Sequence, residues 1–256
     1  MFVARGMELR TTKGGRVDKS YEVKLEIAGP AAMFARPDTG GTPTSYPVPT
    51  WSAAKGLFES IAFFADGAAW ICPTKVEVCR RVGHAGGVVQ FQRYTTNYGG
   101  PLRKASLFSK GALSGGSSMQ LFATILRNVC YRLHGVIVGP RWEGSINPRH
   151  HLQDLFNRRL KRGQCFRTPC LGWSEFTCSY WGPYRHGITE VDTTFSFEIP
   201  SMLLWVWDNP SSGSYRPGFD QKVRIVDGAM EYKVPKKWTS GQGREVTENA
   251  ERITDN

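Results

Sequence analysis

The most regular hydrophobic period on this chain sets Tyr21, Val23, Leu25 and Ile27 against Glu22, Lys24 and Glu26. A period of two predicts a strand with one buried face, stopped by Gly29-Pro30. Residues 34–50 are too rich in proline and glycine for helix or strand and predict a loop. At Trp51 the period becomes helical: Ala54, Leu57, Phe58, Ile61 and Ala65 share one face, predicting a helix over 51–65 that ends at Asp66-Gly67. Alternation returns over Trp70–Arg81, where Val76 and Val78 oppose Lys75, Glu77 and Cys79. Residues 83–118 hold eight glycines and no regular period. They predict a long, partly mobile insertion between strands. Met119–Val138 predicts one long strand or a strand pair, with Val129, Tyr131 and Leu133 facing one way and Arg132 and His134 the other.

A capped helix is expected over 147–163. Asn147 suits the N-cap and Pro148 the first helical position, and Gly163 can take the left-handed conformation past the last turn. Leu152, Leu155, Phe156 and Leu160 form its apolar stripe. Its other face carries His150, His151, Arg158, Lys161 and Arg162, with Asp154 as the one acid. Arg159 falls on the apolar side, where a cation either snorkels or reaches a buried phosphate or acid. Strands are expected at 175–181 and 194–199. A hairpin is expected across Asp227-Gly228, with Val223 and Ile225 before the turn and Met230, Tyr232 and Val234 after it.

The order strand, helix, strand, insertion, strand, helix, strand is that of an α+β, ferredoxin-like or RRM-type unit. We place that domain at 20–183 and a C-terminal antiparallel β-rich extension at 184–238. A loose arm (1–19) and a polar, disordered tail (239–256) flank them. The formal net charge of +11 and pI near 9.5 narrow the partner. Such an excess repels itself and calls for a polyanion, nucleic acid before membrane. From Val78 to Trp142 there are nine Lys or Arg and no acid. No apolar run approaches the ~20 residues that span a bilayer, and no secretory signal is evident, so a cytoplasmic protein is expected. The six cysteines match no common zinc spacing and read as small buried thiols.

Three passages carry a resemblance: PAAMFARPDTGGTPTSYPVPTWSAAKGLFESI, ATILRNVCYRLHGVI and FNRRLKRGQCFRTPCLGWSEF. In order, they resemble the CRISPR-associated Cas-five family, subtype I-C, of the RAMP superfamily. The shared features are an Arg-Pro pair before Ser-Tyr-x-Val-Pro, an Asn/Asp-Val-x-Tyr segment, and an Arg-Arg, Gly-Gln-x-Phe, Pro-x-Leu-Gly and Glu-Phe signature. The resemblance implies an RRM-like RAMP domain with a C-terminal β-sheet extension. It also implies a subunit that holds the 5′ handle of crRNA in a Cascade surveillance complex, beside the backbone and large subunits and acting on target DNA through the complex. In subtype I-C it implies a metal-independent endoribonuclease for precursor crRNA, with no cofactor and no metal. The alternative is a non-catalytic cap, with cleavage done by another protein.

Metal-free RNA cleavage needs a base, an acid and cations for the phosphorane charge, and histidine can serve as either base or acid. His150, His151 and Lys161 are therefore the catalytic candidates. The RNA-binding candidates are Arg36, Tyr46, Arg132, His134, Arg158, Arg159, Lys161, Arg162, Gln164, Phe166 and Arg167. The chain departs from the processing members at two places. Their tyrosine after the first helix reads Ala62 or Phe63 here. Their Lys-His pair falls on His151-Leu152, with His150 or Arg149 one or two residues earlier. The binding signature is kept while the catalytic one is altered.

Overall fold

The structure, a computed structural model, describes residues 20–83, 89–98, 119–139, 147–207 and 214–234. The arm, the tail and most of the insertion lie outside them. In chain order the elements are β1 (Glu22–Ala32), α1 (Trp51–Ile61), β2 (Trp70–Arg81), β3 (Gln90–Tyr98), β4 (Met119–Val138), α2 (Pro148–Arg162), β5 (Tyr180–Gly182), β6 (Thr189–Val191), β7 (Phe197–Trp207), β8 (Tyr215–Ile225) and β9 (Ala229–Glu231). The fold is mixed and dominated by antiparallel sheet. The main sheet runs β5-β1-β4-β2-β6, with β3 also on β4 and β9 also on β2; β7 and β8 form a separate two-stranded ribbon.

The period-two segments became strands because their apolar faces meet the helices. Val23, Leu25 and Ile27 are buried with Val76, Val78, Tyr131 and Leu133, under Leu57, Phe58 and Ile61 of α1 and Leu152 and Phe156 of α2. Met119–Val138 is one strand of 20 residues. It serves β1 along one edge, and β2 then β3 along the other.

Four expectations need correction. Gly29-Pro30 does not stop β1, which runs on to Ala32. β5 pairs only with residues 26–28, so Pro30 sits past its end, where a missing N–H breaks no ladder. Helix α1 ends at Ile61, not 65. The Ser60 carbonyl that would bond the next turn instead accepts the Phe166 and Arg167 N–H groups, both at 2.9 Å. The insertion is not wholly irregular, since Gln90–Tyr98 pairs with β4 throughout. Finally, Asp227 and Gly228 take positive φ, 50° and 75°, as a type I′ turn requires, and Val226 and Ala229 close the turn with two 2.9 Å backbone hydrogen bonds, but the hairpin ladder does not extend beyond that pair. Ile225 pairs with Phe197 in the ribbon, whereas Ala229 pairs with Glu77 in the main sheet. β6 and β9 join the main sheet as well, so segments on both sides of residue 184 share it.

The six cysteines are free thiols, three of them buried. Among the described residues no helix is long and apolar enough to cross a membrane.

Candidate nucleic-acid interface

Helix α2 forms as its sequence predicts. The Asn147 side chain accepts from the Arg149 N–H, Pro148 opens the helix, and Gly163 closes it at φ 63°. Leu152, Phe156 and Leu160 are buried, and Phe156 packs on Phe58 at 5.8 Å. The outward face leaves Arg158, Lys161 and Arg162 exposed, followed by Gln164, Phe166 and Arg167 in the next loop. Among the described residues none of Arg158, Lys161, Arg162 and Arg167 has an ion-pair partner. Phe166 is 63% exposed, with its edge on Phe63 at 4.7 Å. Phe63 stands one residue beyond the α1 C-cap, and no period or charge in the sequence marks its place. Unpaired cations beside exposed rings are the chemistry that holds a single-stranded nucleic acid, phosphates on the cations and bases on the rings.

The other candidates stand elsewhere. Tyr46 is 1% exposed: its hydroxyl accepts from the Leu203 N–H at 3.1 Å and donates to the Ser201 carbonyl at 3.3 Å. It bolts the proline-rich loop to β7 and cannot stack on a base. Arg132 is likewise buried, donating to the Glu26 carboxylate and the Thr189 carbonyl. His134 is half-buried, 3.2 Å from Glu77 and 3.1 Å from the Tyr184 hydroxyl. Both lie on the sheet face opposite the helices, and residues 180–191 cover that face. Arg36 pairs with Asp38 at 2.7 Å, over the Tyr46 ring.

Arg159 resolves its own puzzle. Its guanidinium donates to the Ile61 carbonyl at 2.7 Å, so the cation on the apolar side caps the end of α1. An Arg159→Ala variant should lose about 2 kcal/mol of unfolding free energy, the worth of a charged hydrogen bond. Urea denaturation measures it, and an unchanged midpoint would refute the capping role.

The catalytic candidates do not converge. His150 and His151 are consecutive on a helix and diverge by about 100°. His150 lies 3.2 Å from Asp154, and His151 sets its edge on Phe64 at 5.4 Å. Lys161 lies ten or eleven residues on, about 16 Å along the axis, too far to share one phosphate with either imidazole. His151 thus touches Phe64, the residue after Phe63 in the chain. The residues after α1, Ala62, Phe63 and Phe64, offer no hydroxyl.

The loop carrying Gln164, Phe166 and Arg167 is anchored at both ends. At its start the two N–H groups bond Ser60. At its end the Leu171 carbonyl accepts the Met33 N–H at 2.8 Å, with Leu171 fully buried. Gly172 follows at φ 93°, where a Cβ would lie 1.7 Å from the Met33 oxygen. The Pro-x-Leu-Gly part of the signature is thus a backbone anchor.

The model for the CRISPR-associated protein family Cas5 matches residues 22–227. The chain belongs to the Cas5 family. Two curated relatives, each named CRISPR pre-crRNA endoribonuclease Cas5d, place this Cas5 chain with subtype I-C. One, from Thermus thermophilus, is 31% identical over 162 residues, 63% of this chain and 63% of that protein. The other, from Mannheimia succiniciproducens, is 28% identical over 166 residues, 62% of this chain and 71% of that protein. The chain thus spans somewhat under two thirds of the length of the Thermus relative. Two solved structures share the Cas5 chain's fold at 16% identity. A CRISPR-associated protein has a TM-score of 0.54, covering 88% of this chain and 97% of that one. A functionally uncharacterized protein from Streptococcus mutans has a TM-score of 0.53, covering 86% and 95%.

Proposed function

We propose that this chain is the crRNA-binding subunit of a type I-C-like Cascade surveillance complex in the cytoplasm. It holds the repeat-derived 5′ handle next to the backbone and large subunits, and meets target DNA through the complex. The observation that carries this reading is the surface of Arg158, Lys161, Arg162 and Arg167, unpaired among the described residues, beside the exposed Phe166. The strand order β5-β1-β4-β2, with α1 and α2 as the crossovers, supports a ferredoxin-like RAMP core over 20–183. On that description β3 is the inserted strand and the β7–β8 ribbon is the chief part of the C-terminal extension.

The test is binding of the cognate repeat RNA by the full chain across a salt series. Changing Arg158, Lys161, Arg162 and Arg167 together to alanine should weaken binding and flatten the salt dependence. The log–log slope is expected to change by about 0.7 for each phosphate that is no longer neutralised. Unchanged affinity and slope would sink the interface.

A second reading, cleavage of precursor crRNA, is favoured by the names of the relatives and by His151 against Phe64, the residue after Phe63. The separation of the imidazoles from Lys161 and the missing hydroxyl support the non-catalytic cap. Incubation with the repeat hairpin in EDTA decides between them. Intact, tightly bound RNA supports the cap. A 2′,3′-cyclic end that disappears in His151→Ala supports the nuclease.

A further inference from the structure

A second polar site lies on the opposite face of the sheet, where β4 changes partner. Along one edge β4 pairs with β2 as far as Tyr131 and with β3 from Arg127 onward. The seam between them opens into a cavity of about 570 Å³, within the range of sites that take small ligands. Its polar lining includes Arg80, Arg81, Gln90, Asn128 and Arg185, and holds three arginines and no acid. Two of these cations are already engaged from outside the cavity. Arg80 meets Glu190 at 3.0 Å, and Arg185 meets Glu26 at 2.6 Å. Arg81 is exposed and has no ion-pair partner among the described residues. Arg185, at the cavity wall, also holds its guanidinium carbon 3.8 Å from the centre of the Tyr180 ring.

Asn128 is the unusual member. It is the one residue of β4 that pairs with no strand on either edge. Its φ is +50°, a conformation that costs a non-glycine residue energy and that gathers at binding sites. At this unpaired, left-handed position the exposed Asn128, whose amide both donates and accepts, lines the cavity.

We infer that this cavity takes one nucleotide of the bound RNA, turned out of the strand. Its phosphate meets Arg81, its base stacks toward Arg185, and its base edge is read by Asn128. A planar base with a mixed donor–acceptor edge and one negative charge matches a guanidinium stack, an amide and a free arginine. This rests on the RNA-binding reading above. The site is separate from the α2 loop, on the other face of the sheet, so the two can fail independently.

The test uses the full chain, the cognate repeat RNA and a set of RNAs each carrying one abasic position. Asn128→Gly keeps the left-handed backbone and deletes the amide; Arg81→Ala deletes the free cation. Each is expected to weaken RNA binding about tenfold, with the thermal midpoint of Asn128→Gly near that of the parent. One abasic position should weaken the parent to a similar degree and cost Asn128→Gly little further. Parent-like binding by both variants, or an abasic profile that neither variant alters, overturns the inference. If the α2-loop variant loses RNA in that case, the RNA-binding reading stands alone. If no variant loses RNA, both fall. Titration with nucleoside monophosphates supplies the remaining arm: saturable binding lost in Arg81→Ala, without any abasic coupling, would mean a free nucleotide and overturn the assignment to RNA.

Discussion

Replacing Glu26 with alanine lowers the unfolding free energy by about 3–5 kcal/mol, the cost of breaking a buried ion pair from one side. Glu26 is fully buried on the sheet face away from the helices. It accepts from the Arg185 backbone N–H (3.1 Å) and guanidinium (2.6 Å), the Thr189 hydroxyl (2.8 Å) and Arg132 (3.2 Å). Alanine would leave Arg132 buried with one anchor, the Thr189 carbonyl and hydroxyl, and no counter-charge. Residues 185–189 would lose their tie to β1, leaving the backbone ladder of β5 as the hold on that segment. Urea denaturation measures the loss. A loss below about 1 kcal/mol, the size of an exposed pair, would mean that the cluster does not hold this face closed.

The same cluster gives the fold an acid-sensitive side. Burial alone would raise the Glu26 pKa, but the hydrogen bonds from Arg185, Thr189 and Arg132 outweigh it and hold the carboxyl below its usual range. Glu77 is also held low by its hydrogen bond to His134, against burial and with help from Lys75, down to about 2. Both carboxylates have depressed pKa values in the folded state. Their stabilisation is therefore complete above about pH 4.5, the unfolded value, and is lost as pH falls below it, for Glu77 toward about 2. For Glu77 the difference is on the order of 3 kcal/mol. Glu77→Gln should remove that share, giving a shallower fall in stability between pH 4.5 and 2. A parent-like slope in that window would contradict the His134–Glu77 assignment.

How much of this was legible in the sequence depends on whether the cause was local. The alternation at 21–27 and 70–81 and the capped helix at 148–162 are local, because side-chain period and capping chemistry act within a few residues. The α2-loop cations were legible for the same reason: once the stripe of Leu152, Phe156 and Leu160 turns inward, Arg158, Lys161 and Arg162 must face out. Tyr46 was not legible. Nothing near it reveals that Ser201 and Leu203, more than 150 residues on, take its hydroxyl. The period of β4 puts Arg132 and His134 on the correct side, but the segment that covers that side comes some fifty residues later. Arg159 on the apolar stripe was a visible anomaly whose answer, the end of α1, lies 98 residues away. Asn128 left a trace only as a polar residue inside a long strand. The seam it marks exists because β2 and β3 share one edge of β4, which is a property of the topology.

The Pro-x-Leu-Gly anchor yields the second large effect. Gly172→Ala should cost roughly 2–4 kcal/mol, combining strain at positive φ with a broken backbone hydrogen bond. At φ 93° the added Cβ would meet the Met33 backbone oxygen at 1.7 Å and its carbon at 2.6 Å. Neither is a flexible side chain, so β1 and the loop must part, taking the Met33–Leu171 hydrogen bond with them. Gly163→Ala is the natural comparison. Its φ of 63° also favours glycine, yet nothing lies within 4 Å of its Cβ. It should cost only about 1 kcal/mol. The functional consequence separates the two further. Gly172 fixes the far end of the loop that presents Gln164, Phe166 and Arg167, whereas Ser60 fixes the near end in both variants. Gly172→Ala should therefore weaken repeat-RNA binding even at temperatures where the fold is intact, and Gly163→Ala should not. Equal RNA affinity for the two variants, measured below both melting transitions, would show that the loop does not depend on this anchor to hold RNA.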